Sequence, residues 1–167
     1  MKDHDVLKRI PFFAEILDDQ SLDQLAEAAT RTEFDHGTVV IREGDAGESM
    51  FVIAKGALAV SIRDGGKDRR VATLRDGDLV GEMSLLTGAA RSATVTALRP
   101  TVTLEITRDA LAPILKASPE LAIQFSAMVL RRSAELEDLY GLPNWLRTGG
   151  TASDITTRVR RFFGFDD

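Results

Sequence analysis

The sequence predicts a mainly β fold with flanking helices, on three observations. From Phe34 to Thr107 apolar residues recur with a period of two, in many short runs. Before and after that stretch they recur at helical spacings. Turn signals rich in glycine and aspartate separate the short runs, the pattern of a small barrel or jelly roll. The 167 residues suit one domain with a real core, and 44% hydrophobic and 28% charged residues are ordinary globular values.

Residues 5–31 read as helical. Val6, Leu7, Ile10, Phe13, Ile16 and Leu17 are the apolar positions, and Pro11 should split them into two short pieces. Ser21, with Gln24 three residues later, reads as a capping box for a helix ending near Arg31. Eight strands are expected: 32–34, 39–41, 49–54, 58–63, 70–74, 79–80, 92–97 and 102–106. Between them lie His36-Gly37, Gly44-Asp45-Ala46-Gly47, Lys55-Gly56, Asp64-Gly65-Gly66 and Asp76-Gly77-Asp78. Arg108 to Ala117 reads as a short helix, interrupted or bent at Pro113. Ser118 and Pro119 then read as the cap and first position of a long helix to about Tyr140, where Gly141-Leu142-Pro143 stops it.

The stretch Gly81 to Val95 carries the chemistry. A short helical turn at Ser84 to Thr87 lies between Gly81-Glu82 and Gly88, and the chain then delivers Arg91-Ser92 into a strand. Arg91 offers a fixed positive fork to a phosphate. Ser92 places a hydroxyl beside it. The backbone at Met83-Ser84 aims N–H groups at an anion, and Glu82 is an acceptor for ribose hydroxyls. Gly81 and Gly88 allow close backbone approach. A phosphodiester needs these parts; the bland alternative is a surface loop with a Glu82–Arg91 ion pair.

This stretch resembles the phosphate-binding cassette of the cyclic nucleotide-binding domain family, known from catabolite-activator regulators, protein kinase A regulatory subunits and cyclic-nucleotide-gated channels. Gly81, Glu82, Arg91, Ser92 and Ala93 match its pattern, whereas Ala90 stands where a proline is usual. The resemblance covers about residues 5–140. It implies an eight-stranded antiparallel β-roll with an N-terminal helical bundle and two C-terminal helices. It also implies that cAMP or cGMP is the ligand. Arg91 and Ser92 would hold the phosphate, Glu82 and Gly81 the ribose, and Val60, Ile62 or Val71 would line the base.

On the long helix, Leu121, Phe125, Met128, Arg132, Leu136 and Leu139 form one stripe, while Arg131 points elsewhere and can pair with Glu135. An arginine on a buried stripe wants an acid, and Arg132 is expected to meet Glu82. By the resemblance, Leu136 and Tyr140 would lie over the purine. The stripe could equally serve a dimer. The organisation expected is therefore a cyclic nucleotide-binding domain over 1–140 (lead-in 5–31, roll 32–107, helices 108–140) and a linker with a short basic-aromatic tail over 141–167. Ile155, Val159, Phe162 and Phe163 would share one side of that tail, suited to a membrane surface, a partner helix or its own domain.

Other chemistries find little support. A net charge of −5 argues against a general nucleic-acid binder. There are no cysteines and only two histidines, His4 and His36, so neither a metal cluster of the cupin type nor a Ser-His-Asp set is expected. No P-loop or dinucleotide fingerprint occurs. The 27 residues after Tyr140 lack two successive helical patterns, so the winged helix-turn-helix of related regulators, and DNA binding, are not expected. No apolar run has the length of a membrane span, and no signal-peptide core follows the N-terminus. The expectation is a cytoplasmic, non-enzymatic sensor without a cofactor, and the resemblance admits the cytosolic end of a channel or transporter. The competing expectation is an interaction domain with a relic pocket, which would be expected to have lost Arg91 or Glu82.

Overall fold

The computed structural model describes residues 2–140, 157 and 159–163, the side chains of 132–140 excepted. Three helices open the chain: α1 (Asp3–Lys8), α2 (Pro11–Ala14) and α3 (Asp19–Ala28). Pro11 makes the expected break by starting α2, where its missing N–H matters least. The cap of α3 differs from the expected one. Asp18 is the N-cap and accepts the Ser21 amide at 2.8 Å, which places Ser21 inside the first turn. This bond, with a lesser one from the Ser21 side chain, holds the Asp18 carboxyl below its usual range. The helix ends at Ala28 instead of near Arg31, because Thr30 already pairs with Glu105 in a sheet.

Eight strands follow: β1 (Thr30–Phe34), β2 (Val39–Ile41), β3 (Ser49–Lys55), β4 (Ala57–Asp64), β5 (Lys67–Arg75), β6 (Leu79–Val80), β7 (Thr94–Ala97) and β8 (Thr101–Thr107). They form two four-stranded antiparallel sheets, ordered β1-β8-β3-β6 and β2-β7-β4-β5. The expected strand at Ser92 starts two residues later, at Thr94, which leaves Ser92 in the preceding loop. A bulge at Val71 shifts the β4–β5 register, from Val60 opposite Ala72 to Ser61 opposite Arg70.

β3 explains how two cores fit one small chain. Phe51 and Ile53 face the space between the sheets, with Ile41, Leu58, Val60, Val95 and Ala97. Met50 and Val52 face the opposite way, into a cluster formed with the helices. The strand period of two thus gives one continuous apolar run two buried faces.

α4 (Glu82–Thr87) sits between β6 and β7, and α5 (Arg108–Ala117) and α6 (Leu121–Tyr140) close the domain. α5 runs through Pro113 without interruption. Ser118 ends α5 as its C-cap, so α6 begins at Leu121, later than the Ser118 cap had implied. At 20 residues it is about 30 Å long. Its expected stripe is buried at Leu121, Phe125 and Met128, widened by Ala122, Ser126 and Val129. Phe125 meets Phe12 and Phe13 at ring distances of 5.4 and 6.2 Å. Arg131 is exposed and pairs with Glu15 at 3.8 Å; the side chain of Glu135, its expected partner, lies outside the described residues.

Phe125 is fully buried at the centre of this aromatic trio. Phe125→Ala is expected to destabilise the domain by about 3–5 kcal/mol in urea unfolding. A loss below about 1 kcal/mol would show that α6 does not seal this core.

Candidate functional site

Gly81 and Gly88 bracket α4, each with a left-handed backbone (φ 93° and 73°) that a side chain would strain. Inside the turn, the Ser84 hydroxyl donates to the Ala89 carbonyl at 2.7 Å, and the Thr87 hydroxyl to that of Met83 at 2.7 Å. Leu85 and Leu86 are fully buried in the helical cluster, and half-buried Met83 packs against it. The Met83 side chain is thus taken up by packing against that cluster. Glu82 and Ser84 are buried polar residues at the start of the same helix. By helix geometry the first-turn N–H groups have no acceptor within the helix and point outward along its axis.

The loop beyond α4 is tied down at Arg91. Its amide donates to the Asp45 carbonyl and its carbonyl accepts from the Gly44 amide, both at 2.8 Å. This reciprocal pair fixes the loop to the turn before β3, and it lies one residue after Ala90, where a proline would have pre-set the chain.

The Arg91 side chain enters a slot between Gly47 and Gly81. A methyl group at Gly81 would stand 2.6 Å from Nη1, and one at Gly47 would collide with the guanidinium. Within the slot, Nη1 donates to the Ser49 carbonyl at 2.6 Å and Nη2 to the Ser49 hydroxyl at 3.1 Å. That hydroxyl in turn donates to Glu105 Oε2 at 2.7 Å. Burial pushes the Arg91 pKa down, and Glu105 pulls the other way, holding the charge in place. Two of five N–H donors go to Ser49, which leaves three for an incoming anion.

The remaining expected residues fall as follows. Ser92 is exposed beside Arg91. Ala93 packs against the core between the sheets, as does Val71 at its bulge. Val60 is buried inside that core, facing Val95 across the sheet, and Ile62 is half-buried further along β4. The side chains of Arg132, Leu136 and Tyr140, and with them the expected Arg132–Glu82 contact, lie outside the described residues. Gly47, Ser49 and Glu105 join the site without having been expected there. Gly47 carried only a turn signal, and Ser49 and Glu105 read as ordinary strand positions. Among the described residues no cluster of three or more potential metal ligands occurs. No helix among them is long and apolar enough to cross a membrane. The arrangement can bind an anion beside an apolar wall.

Comparison with known proteins agrees. The cyclic nucleotide-binding domain family model matches residues 31–118, more than half of the chain. A cGMP-dependent protein kinase of Eimeria tenella is 34% identical over 109 residues, 65% of this chain and 10% of that protein. A cAMP-dependent protein kinase regulatory subunit of Yarrowia lipolytica is 38% identical over 91 residues, 54% of this chain and 24% of that protein. The chain thus spans a quarter or less of these relatives' lengths. Among solved structures, the regulatory domain of Toxoplasma gondii PKA, co-crystallised with cAMP, superposes with a TM-score of 0.67 and 26% identity. That match covers 93% of this chain and 55% of the other.

Ser49 anchors two hydrogen bonds to charged partners and is 6% exposed. Ser49→Ala is expected to lower unfolding free energy by about 1.5–3 kcal/mol. Urea unfolding that leaves stability unchanged would mean Arg91 and Glu105 do not depend on this hydroxyl.

Proposed function

Because the chain belongs to the cyclic nucleotide-binding domain family, we propose that it binds cAMP or cGMP in the cassette at 81–93 and acts as a regulatory sensor, not a catalyst. The single observation that carries the reading is the Arg91 guanidinium, seated in its slot with three donors left for a phosphate. The cyclic phosphate pairs with Arg91 and accepts from Ser92 and from the amides of Met83 and Ser84. Glu82, with the backbone of Gly81, takes the ribose hydroxyls. The purine lies against the apolar edge formed by Val71 and Ala93, with Val60 behind them and Ile62 at its margin.

Ligand binding is passed to α6. Leu85 and Leu86 of α4 share one core with Phe125, Met128 and Val129 of α6, so a shift of the cassette is felt by the helix. Further along, Arg132 meets Glu82, and Leu136 and Tyr140 cover the base. The nucleotide selects the closed arrangement because the lid contacts exist only there. The output is a partner or neighbouring unit that senses α6; a channel or transporter is one such setting.

Calorimetry with cAMP and with cGMP tests the proposal. Wild-type protein is expected to bind at least one of them, and Arg91→Ala to weaken binding by about 2–5 kcal/mol. Undiminished affinity in Arg91→Ala would remove the central claim. Binding of neither nucleotide by folded wild type would favour an interaction domain with a relic pocket.

A further inference from the structure

Val159, Phe162 and Phe163 pack against the cluster that anchors the cassette helix. Val159 is fully buried and Phe163 is 3% exposed, both in the cluster that holds Leu85 and Leu86 of α4. The Phe163 amide donates to the Val159 carbonyl at 3.0 Å, closing a helical turn. Of the three settings expected for this apolar side, the described residues take the third: Val159 and Phe163 are buried in the chain's own domain.

Phe162 holds the strategic place. A methyl group at Gly88, the C-cap of α4, would stand 2.5 Å from its ring, so the ring rests directly on the end of the cassette helix. The Arg108 guanidinium lies over the same ring, 4.7 Å from its centre. Arg108 opens α5. Its amide donates to the Glu48 carbonyl at 2.8 Å and its side chain pairs with Glu48 at 3.7 Å. Glu48 stands between Gly47, a wall of the Arg91 slot, and Ser49, its floor. One aromatic ring therefore meets the C-terminal end of α4 directly at Gly88, and reaches the turn carrying Gly47 to Ser49 through Arg108.

We infer that the segment 159–163 is a clamp on the cassette, and that its docking and cyclic nucleotide binding at Arg91 favour one another. The inference rests on the proposed nucleotide site. Docked, the segment holds α4 and the Glu48 turn in the geometry that receives a phosphate. Undocked, both loosen, and a ligand must order them as it binds. The coupling is reciprocal: whatever factor docking adds to nucleotide affinity, nucleotide adds to docking. A protein partner competing for Val159 and Phe163 would thus loosen the nucleotide, and nucleotide would exclude that partner.

Hydrogen exchange on the full chain, with and without cAMP or cGMP, tests this alongside calorimetry. The comparison is between wild type, Phe162→Ala and Phe162→Leu. Phe162 is only half-buried, and both variants leave Val159 and Phe163 in the core. In the free protein, Phe162→Ala is expected to speed exchange at the amides of Gly88 and Arg91. Nucleotide is expected to slow exchange across 159–163 in wild type. Affinity should fall about fivefold or more in Phe162→Ala and by less in Phe162→Leu, which keeps the bulk but not the ring. Unchanged exchange at Gly88 and Arg91 with affinity held within twofold would overturn the clamp. If Phe162→Ala fails to fold, the Phe162→Leu comparison decides by the same readouts. If wild type binds neither nucleotide, the nucleotide reading fails by itself. Exchange in the free protein then decides only whether the segment clamps the cassette: faster at Gly88 and Arg91 supports the clamp, unchanged overturns it.

Discussion

Holding an arginine half out of water, aimed and still charged, is the constraint on which the site depends. Burial works against the charge. The structure answers with three contributions from different parts of the chain. Ser49 supplies a carbonyl and a hydroxyl, Glu105 supplies the opposite charge behind that hydroxyl, and two glycines supply the space. A carbonyl is a neutral partner and a hydroxyl a relayed one, so Arg91 is positioned without being saturated. A carboxylate bound bidentately in the same place would hold it more firmly but would compete with a phosphate for the same fork.

That arrangement relies on β3. Its alternate residues fill two cores, and its first residue is Ser49. A strand buried on both faces has little freedom to shift, which makes its end a rigid seat for a charge. α4 has the opposite character. It is a turn and a half of helix between two left-handed glycines, attached to the helical core by Leu85 and Leu86. The rigid strand end and the short helix meet at Arg91, whose side chain lies between Gly47 and Gly81.

The roll was legible because all eight strands carry either alternation or an apolar run between turn signals, and each was placed to within about three residues at its ends. The errors are local competitions. Asp18 outcompeted Ser21 as cap because an ionised carboxylate accepts more strongly than a hydroxyl. α3 stopped at Ala28 because Thr30 found a cross-strand partner 75 positions away, at Glu105. Arg91, Glu82 and the flanking glycines stood out because they are close in sequence. Ser49 and Glu105 did not, because their relation to Arg91 exists only once β3 and β8 are paired, Phe51 opposite Glu105. Ala90 looked like a loss of rigidity, yet the amide pair from Arg91 to Asp45 and Gly44 supplies the restraint that a proline ring would have given.

Magnitudes decide how the two C-terminal elements divide the work. Full burial of a phenylalanine is worth about 1.5–3 kcal/mol. Phe162 is half-buried, and its contact with Arg108 adds about 0.5–1 kcal/mol. The ring therefore has about 2 kcal/mol at its disposal, which limits its tuning of nucleotide affinity to about thirtyfold. Moving a switch from one state almost wholly to the other takes about 5.5 kcal/mol. The tail alone cannot throw such a switch, whereas α6, which shares a core of several fully buried side chains with α4, has the larger lever. In the proposed mechanism α6 would carry the main transition and the aromatic clamp would set the nucleotide concentration at which it occurs. A sensor built this way could be retuned at Phe162 or Arg108 without touching Arg91, the proposed phosphate ligand.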